Sequence, residues 1–412
     1  MEEIIIRAEE DCFVPHKEIQ KMTEINQRRV LQAFRNHRIS ESHFYSTTGY
    51  GYDDMGREAL EAVYAEVFGG EDALVRPQIV SGTHAITIAL FGLLRPEDEL
   101  IYITGEPYDT LTGVIGKSGS YEGSLKDYHI DYKEVGLKDD GSVDFSSVKN
   151  AITEKTKVIG IQRSKGYDDR PSFTIDDIKE MVQFIKNINK DIIIFVDNCY
   201  GEFVEDKEPL HVGADIMAGS LIKNPGGGIV RSGGYICGNE ELVHSCANRL
   251  TAPGLGKEAG ATLDTLQEMY QGFFLAPHIV GQAWKGAVFT SRLLALLGYE
   301  TSPHYQEKRT DLIQSVTFHN PEEMIAFCQA IQKNSPVNSF VKPYPSPMPG
   351  YEDEVIMAAG AFIQGSSIEL SADGPLRPPY IAFVQGGLTY EHVKIALTEA
   401  VKTLIKSDYA NR

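Results

Sequence analysis

A single lysine stands between a serine-containing segment and three consecutive glycines in the stretch AGSLIKNPGGGI, residues 218–229. A lysine amine forms Schiff bases with carbonyl groups when it is partly deprotonated, and desolvation favours that state. Glycine is used where the backbone must approach a ligand closely. Lys223 is therefore a candidate for covalent chemistry. The alternative is a solvent-exposed lysine beside a flexible loop.

A carboxylate and a serine are predicted near this lysine. The apolar run of IIIFVDN, residues 192–198, indicates a buried strand with Asp197 at its carboxyl end, where α/β sheets bind ligands. The strand-like segment ADIMAGS, residues 214–220, brings Ser220 and Lys223 to the same edge. A buried carboxylate needs a cationic partner or strong hydrogen bonds to stay ionised. The alternative is an aspartate that caps the next segment.

A phosphate site is predicted at a third segment, IVSGTHAITIALFGLL, residues 79–94. The pattern predicts a strand that ends at Val80, a turn at Ser81 and Gly82, and a helix that begins near Thr83. Unpaired amides and the helix dipole at such an N-terminus bind phosphate readily. The alternative is an ordinary capped turn between a strand and a helix.

A tyrosine follows another predicted strand, in GEPYDTLTGVIG, residues 105–116. The ring of Tyr108 could stack on a flat cofactor, and the alternative is a tyrosine at an interface or at the rim of the core. A phosphate cradle, a ring platform, a carboxylate and an amine together meet the requirements of pyridoxal 5'-phosphate. The segment GYGYDDMG lacks the G-x-G-x-x-G pattern, and no P-loop or Ser-His-Asp signature is present.

The elements that must position these residues alternate between strands and helices, which predicts an α/β fold with a mainly parallel sheet. Helices are predicted over residues 83–94 and 174–189, and one long helix over residues 273–300. Strands are predicted in the segments ALVRPQIVSG, ELIYITG, TKVIGIQR, IIIFVDN, ADIMAGS and GGYICG.

The pattern changes along the chain in a way that predicts three regions. Residues 1–55 form an N-terminal helical arm, residues 56–295 a large cofactor-binding domain, and residues 296–412 a smaller C-terminal α+β domain. A final helix is predicted over residues 389–406.

Composition and charge exclude several classes of partner. A net charge of −19 should repel nucleic acid and anionic membranes. No apolar run reaches the length of a membrane span, and the first ten residues are too acidic for a signal peptide. Five scattered cysteines argue against a disulfide framework and for a reducing cytoplasm. Cys12 and His16 lie four apart without a second pair, so no metal site is expected.

These motifs resemble the fold-type-I pyridoxal phosphate enzymes of cysteine and methionine metabolism, such as cystathionine lyases and methionine gamma-lyase. The sequence is most similar to the bacterial branch called aluminium resistance proteins, over roughly residues 45–405. The resemblance implies a large domain with a seven-stranded sheet. It also implies that SGTHA, with Ser81, Gly82 and Thr83, binds the phosphate together with Ser220. Tyr108 would stack on the ring, Asp197 would pair with the pyridinium nitrogen, and Lys223 would form the Schiff base.

The resemblance also implies a homodimer or homotetramer with shared active sites. In YGYDDMGR, Tyr52 and Arg57 match a Tyr-x-Arg segment that reaches the phosphate of a neighbouring subunit, although their spacing here is longer. Three departures concern other contacts. The family's Ser/Asn-Pro loop is replaced by IQRSKGYDDRPSFTI, which adds Arg163, Lys165 and Arg170. Ile222 replaces a threonine before the lysine, and the arginine that binds the substrate carboxylate is displaced to Arg377. Arg377 could instead fix the turn in RPPY.

The expected function is that of a cytoplasmic carbon–sulfur lyase that performs β- or γ-elimination on a small sulfur-containing amino acid. In this reaction Lys223 would act as the base at Cα and Tyr108 would assist the leaving group. Alternatives are γ-replacement, aminotransfer or decarboxylation on the same scaffold, and a stress or metal-tolerance protein that retains the cofactor. A cofactor-free α/β domain with coincidental motifs is a further alternative.

Overall fold

The computed structural model describes residues 1–117, 122–348 and 351–406. A central sheet of seven strands has the order β1-β7-β6-β5-β4-β2-β3. Only β7 runs antiparallel to its neighbours β1 and β6, so the predicted mainly parallel sheet is confirmed. The strands are β1 (Asp72–Arg76), β2 (Glu99–Tyr102), β3 (Asp131–Glu134), β4 (Thr156–Gln162), β5 (Ile193–Asp197), β6 (Ile216–Ser220) and β7 (Gly234–Gly238).

All six predicted strands are present in this sheet, with two differences. Strand β1 ends at Arg76 and not at Val80, because Pro77 has no N–H to donate to a ladder. Strand β3 was not predicted. Its sequence DYKE is polar, three of its four residues are exposed, and it forms one edge of the sheet, so it lacks the apolar run of a central strand.

Helices cover the sheet, and both shorter predicted helices are confirmed to within one residue at each end. Helix α6 begins after Thr174, whose side chain accepts a hydrogen bond from the backbone N–H of Asp177 and forms a capping box with it. Within the described residues, no helix is long and apolar enough to cross a membrane. The helices that precede the second sheet are α1 (Glu2–Asn36), α2 (Met55–Phe68), α3 (Gly82–Leu93), α4 (Asp109–Ile115), α5 (Phe145–Ala151), α6 (Ile175–Ile188), α7 (Glu240–Leu250) and α8 (Leu266–Leu296).

A second, antiparallel sheet of five strands follows α8 in the order β10-β11-β12-β9-β8. Helices α9 (Pro321–Lys333) and α10 (Tyr390–Lys406) belong to the same part of the chain. Where the predicted domains begin and end stays a prediction. The strands are β8 (Glu300–Ser302), β9 (Gln314–Thr317), β10 (Val355–Ala358), β11 (Ser371–Pro375) and β12 (Ile381–Gln385).

Helices α1 and α8 contribute to two separate hydrophobic cores. In α1, Ile19 is buried in the core beside the second sheet, and Val30 is buried in the core of the first sheet. In α8, Phe273 is buried in the core of the first sheet and Phe289 in the core beside the second sheet. The two long helices also pack against each other, so they connect the two halves of the chain along much of their length.

Candidate active site

The carboxyl ends of β4, β5 and β6 and the N-terminus of α3 surround a cavity of about 190 Å³. This is the edge at which parallel α/β sheets bind ligands. Seven of the ten predicted site residues line this cavity, and their roles stay predictions. They are Ser81, Gly82, Thr83, Tyr108, Asp197, Ser220 and Lys223.

The amine of Lys223 faces an aromatic ring. Its Nζ lies 4.1 Å from the centroid of the Tyr200 ring, and within the described residues it takes part in no salt bridge. Burial alone would lower the pKa of Lys223. The neighbouring Cys199, Tyr200, Asp197 and Glu202 side chains favour the charged amine, however, and the net direction of the pKa is upward. In this state Lys223 is an ammonium group held inside a buried pocket.

Asp197 ends β5 and is buried beside the same cavity. Its Oδ1 accepts a hydrogen bond of 3.1 Å from the backbone N–H of Cys199. Burial raises the pKa of Asp197, while the charges of Lys223 and Arg170 act in the opposite direction. A cation placed against this carboxylate would favour its charged form. A protonated ring nitrogen is such a cation.

The phosphate end of the cavity combines a helix terminus with an unpartnered hydroxyl. Ser81 caps α3, since its side chain accepts a hydrogen bond of 3.0 Å from the backbone N–H of His84. Ser220 Oγ is buried and has no hydrogen-bond partner in the described part of the protein. A Cβ added to Gly82 would lie 3.3 Å from Ser220 Cβ, so a larger residue would narrow this end. These features fit a phosphate group.

Tyr108 lies at the N-terminus of α4 and is fixed from several sides. Its backbone N–H donates a hydrogen bond of 2.6 Å to Gln162 Oε1, and its hydroxyl lies 2.6 Å from the hydroxyl of Tyr351. Gly166 has a φ of 60°, and a Cβ added there would come within 2.9 Å of the Tyr108 ring. The glycine therefore allows the ring to pack closely beside the cavity.

Three predicted residues do not line the cavity. Tyr52 is about half exposed and stacks on Tyr50, with ring centroids 5.2 Å apart. Arg57 is buried, and its guanidinium donates hydrogen bonds to backbone carbonyls, including that of Gly51 at 2.6 Å. Arg377 is half exposed and pairs with Asp353 at 2.8 Å.

The loop that follows β4 contains two arginines whose side chains bind other parts of the protein and the backbone of the loop itself. Arg163 is fully buried and forms salt bridges with Glu205 and Glu208. Arg170 donates hydrogen bonds to the carbonyls of Gln162 and Ser164. These arginines hold the loop in shape and do not line the cavity. Ser164 and Gly166 of the same loop do line it.

The three glycines that follow Lys223 do not give space to a ligand, so the interpretation based on the sequence was wrong. A Cβ on Gly226 would lie 1.7 Å from the carbonyl oxygen of Leu221, and one on Gly227 would lie 2.3 Å from that of Gly272 in α8. A Cβ on Gly228 would collide with the Leu388 side chain. The glycines allow this loop to pack against α8, which holds the backbone of Lys223 in place.

Several residues beside the cavity were missed. Cys199 and Tyr200 lie two and three residues after Asp197, and Gln162 ends the strand next to β5, so the predicted sheet edge could have identified them. Glu202 lies near Lys223, is completely buried, and accepts a hydrogen bond of 2.8 Å from the Tyr235 hydroxyl. Tyr351 comes from a distant part of the chain, and no local signal marks it.

The model of the methionine gamma-lyase family matches residues 1–405 of the chain. The uncharacterised protein YnbB of Bacillus subtilis is 63% identical over 402 residues, which cover 97% of this chain and 96% of that protein. A solved carbon–sulfur lyase involved in aluminium resistance from Clostridium novyi is 51% identical. The match covers 97% of this chain and 94% of that one, with a TM-score of 0.93.

A more distant solved structure shares the fold. The pyridoxal 5'-phosphate-dependent protein YhfS of Escherichia coli is 18% identical and has a TM-score of 0.61, with 93% of this chain and 97% of that chain covered. The predicted fold-type-I class is thereby confirmed.

Proposed function

Because the chain belongs to the methionine gamma-lyase family, whose cofactor is pyridoxal 5'-phosphate, we propose that it is a carbon–sulfur lyase acting on a sulfur-containing amino acid. One observation carries the proposal. An amine, a buried carboxylate and an unpartnered buried hydroxyl meet in one cavity at the carboxyl edge of the sheet, where Lys223, Asp197 and Ser220 lie.

We propose that the residues of this cavity hold the cofactor in a defined order. Ser220 Oγ and the first amides of α3, at Gly82 and Thr83, would bind the phosphate. The Asp197 carboxylate would face the ring nitrogen, and Tyr108 would lie against the ring. The unpartnered hydroxyl of Ser220 and the burial of the Asp197 carboxylate, which raises its pKa, support this order.

The chemistry is divided between the cofactor and the protein. Bound pyridoxal phosphate supplies an aldehyde that reacts with amines and a ring that accepts the electron pair left at Cα. Asp197 favours a protonated ring nitrogen through its negative charge. Lys223 removes the proton from Cα of the substrate, and Tyr108 donates a proton to the departing sulfur. The products are a thiol, ammonia and a 2-oxo acid.

The oligomer and the compartment belong to the same proposal. We infer a homodimer or homotetramer in which Tyr52 approaches the phosphate of a neighbouring subunit. Arg57 is buried and bonded to carbonyls of its own chain, so in this conformation its guanidinium does not reach another subunit. The exposed, stacked rings of Tyr50 and Tyr52 support an interface at this segment. All five cysteines are unpaired and buried, which agrees with a reducing cytoplasm.

Product analysis of the holoenzyme tests the proposed function. Purified protein is incubated with cystathionine, methionine and S-alkyl cysteines, and thiol, ammonia and 2-oxo acid are measured. A lyase releases all three from a single substrate, and pyruvate marks β-elimination whereas 2-oxobutyrate marks γ-elimination. A replacement reaction would require a second substrate, and an aminotransfer would require an oxo-acid acceptor.

The variant Lys223→Ala is the matched control for this experiment. It should lose turnover and the absorbance of the lysine-linked cofactor while the fold is retained. A variant that keeps the lysine-linked chromophore would refute the assignment of Lys223. A wild-type holoenzyme without turnover on any sulfur amino acid would refute the lyase proposal.

A further inference from the structure

The hydroxyl of Tyr108, whose side chain lines the cavity, has a tyrosine partner from a distant part of the chain. Tyr351 lies 243 positions later in the chain, before β10, and the two hydroxyl oxygens are 2.6 Å apart. The ring centroids are 6.3 Å apart and the ring planes are nearly perpendicular, at 87°. Tyr351 therefore contacts the phenol of Tyr108 both by a hydrogen bond and by an edge-to-face contact.

A third tyrosine packs against this pair without competing for its hydrogen bond. The Tyr167 ring centroid lies 5.8 Å from that of Tyr108 and 5.7 Å from that of Tyr351. The Tyr167 hydroxyl donates a hydrogen bond of 2.6 Å to Asp373 Oδ1 in β11. Its hydroxyl is thus committed elsewhere, and the hydroxyls of Tyr108 and Tyr351 are left to each other.

We propose that Tyr351 is a positioning residue that fixes the Tyr108 hydroxyl for proton transfer to the leaving group of the substrate. This inference rests on the proposed lyase function. In the proposed arrangement Tyr351 would donate its hydroxyl hydrogen to Tyr108 Oη, which would leave the hydrogen of Tyr108 free to point to the departing sulfur. When the C–S bond breaks, its electron pair goes to sulfur and the Tyr108 proton follows. The thiol leaves, and solvent returns a proton to the Tyr108 oxygen.

The surroundings of both tyrosines suit this division of roles. Burial raises the pKa of Tyr108 well above its usual value, so the phenol is a neutral proton donor at ordinary pH. Burial raises the pKa of Tyr351 to about 12, so its hydrogen also stays in place. The phenolate formed at Tyr108 during the reaction would be stabilised by the hydrogen bond from Tyr351.

The experiment compares leaving groups. Holoenzymes of wild type, Y351F, Y108F and Y108F/Y351F are assayed with matched S-alkyl and S-aryl conjugates of cysteine and of homocysteine. An alkanethiol needs protonation as it leaves, whereas an arylthiol leaves readily as an anion. One lost hydrogen bond corresponds to roughly 1 kcal/mol, so Y351F should lower kcat about 5- to 10-fold on the alkyl conjugate. The decrease should be less than about 2-fold on the aryl conjugate.

The double variant and a surface control complete the comparison. Y108F/Y351F should be no slower than Y108F, because the two hydroxyls act as one unit. Tyr344 is 73% exposed in the same part of the chain, and Y344F should match the wild type. The Kd for pyridoxal phosphate should be the same in wild type, Y351F and Y344F. It is allowed to change only in Y108F and Y108F/Y351F, which lack the Tyr108 hydroxyl. Equal losses on both conjugates, or additive losses in the double variant, would overturn the inference.

A structural measurement separates this inference from the lyase proposal. If the wild-type holoenzyme cleaves neither conjugate, the lyase proposal fails, and crystal structures of wild-type and Y351F holoenzymes then decide the positioning role. A Tyr108 hydroxyl that moves by about 1 Å or occupies two positions in Y351F supports it, since shifts of this size matter for catalysis. A Tyr108 hydroxyl that stays in place overturns it.

Discussion

The ammonium nitrogen of Lys223 lies 4.1 Å from the centre of the Tyr200 ring, and Tyr200 holds its ring there from a left-handed backbone conformation with a φ of 73°. Non-glycine residues rarely adopt this conformation, and strained residues concentrate at functional sites. The face of a tyrosine ring attracts a cation. The local backbone strain at Tyr200 is thus linked to the position of the amine that we propose to react.

Replacement of the Tyr200 ring should change the titration of Lys223. A cation–π contact stabilises the ammonium by roughly 0.5–2 kcal/mol, which corresponds to a pKa difference of about 0.4–1.5. We expect Tyr200→Leu to lower the pKa of Lys223 by such an amount, and Tyr200→Phe to leave it within about 0.3, because phenylalanine keeps the ring face. The pH dependence of cofactor capture by the apoprotein measures this pKa. Identical curves for wild type and Tyr200→Leu would contradict the prediction.

Removal of the Ser220 hydroxyl should weaken cofactor binding. A hydrogen bond to a charged group contributes about 1.5–3 kcal/mol, so Ser220→Ala should raise the Kd for pyridoxal phosphate roughly 10- to 100-fold. Absorbance titration of the apoprotein gives this Kd. Ser245→Ala is the control, since Ser245 Oγ donates only to a backbone carbonyl within α7. An unchanged Kd in Ser220→Ala would remove Ser220 from the phosphate site.

Glu202 should behave as a neutral group at pH 7. Burial raises the pKa of its carboxyl to about 8, so the isosteric Glu202→Gln should keep activity within about 3-fold at pH 7. Above pH 8 the wild type gains a negative charge near Lys223 and the variant does not, so their pH–rate profiles should diverge there. Profiles that stay parallel up to pH 9.5 would argue against this assignment.

The same residue predicts a pH dependence of stability. Because the folded-state pKa lies above the ordinary value of 4.5, the contribution of Glu202 is fully present below that value and is lost as the pH rises through about 8. The denaturation midpoint of the wild type relative to Glu202→Gln should therefore fall between about pH 4.5 and pH 8. Urea unfolding at several pH values measures this difference.

Arg377 should affect substrate binding only if it leaves Asp353. The charge of Arg377 acts on Asp109, the sequence neighbour of Tyr108, so its guanidinium lies within electrostatic reach of the N-terminus of α4. We expect Arg377→Ala to raise KM about 10-fold or more with little change in kcat, and Asp353→Asn to lower KM because it releases the arginine. Arg231→Ala removes a similarly exposed ion pair with Glu268 and serves as control. Equal KM values in wild type and Arg377→Ala would exclude the role.

The strands around the cavity could be predicted from the sequence because their apolar runs are simple to recognise. The apolar segments that became β5 and β6 are buried on both faces, and their ends meet at one edge by the geometry of a parallel sheet. Asp197, Ser220 and Lys223 could therefore be placed together without knowledge of any contact.

Other features depend on contacts between distant parts of the chain. The hydrogen bond between Tyr108 and Tyr351 joins two segments that lie 243 residues apart in the chain. No periodicity or motif in the sequence predicts it. The glycines behind Lys223 were read as space for a ligand, but the packing of their backbone against Gly272 explains them. The role of Arg163 in the loop after β4 could not be predicted from the sequence, because its carboxylate partners Glu205 and Glu208 lie about forty residues away.

Helices α1 and α8 bury side chains in both hydrophobic cores, and this limits how the protein can move. A rotation of one sheet against the other would have to bend two helices of 35 and 31 residues or pull their apolar side chains out of a core. Adjustment to substrates of different size is therefore easier for side chains at the cavity than for whole sheets. Because the two sheets are held together in this way, a change of leaving-group preference needs only a few substitutions around Tyr108 and Tyr351.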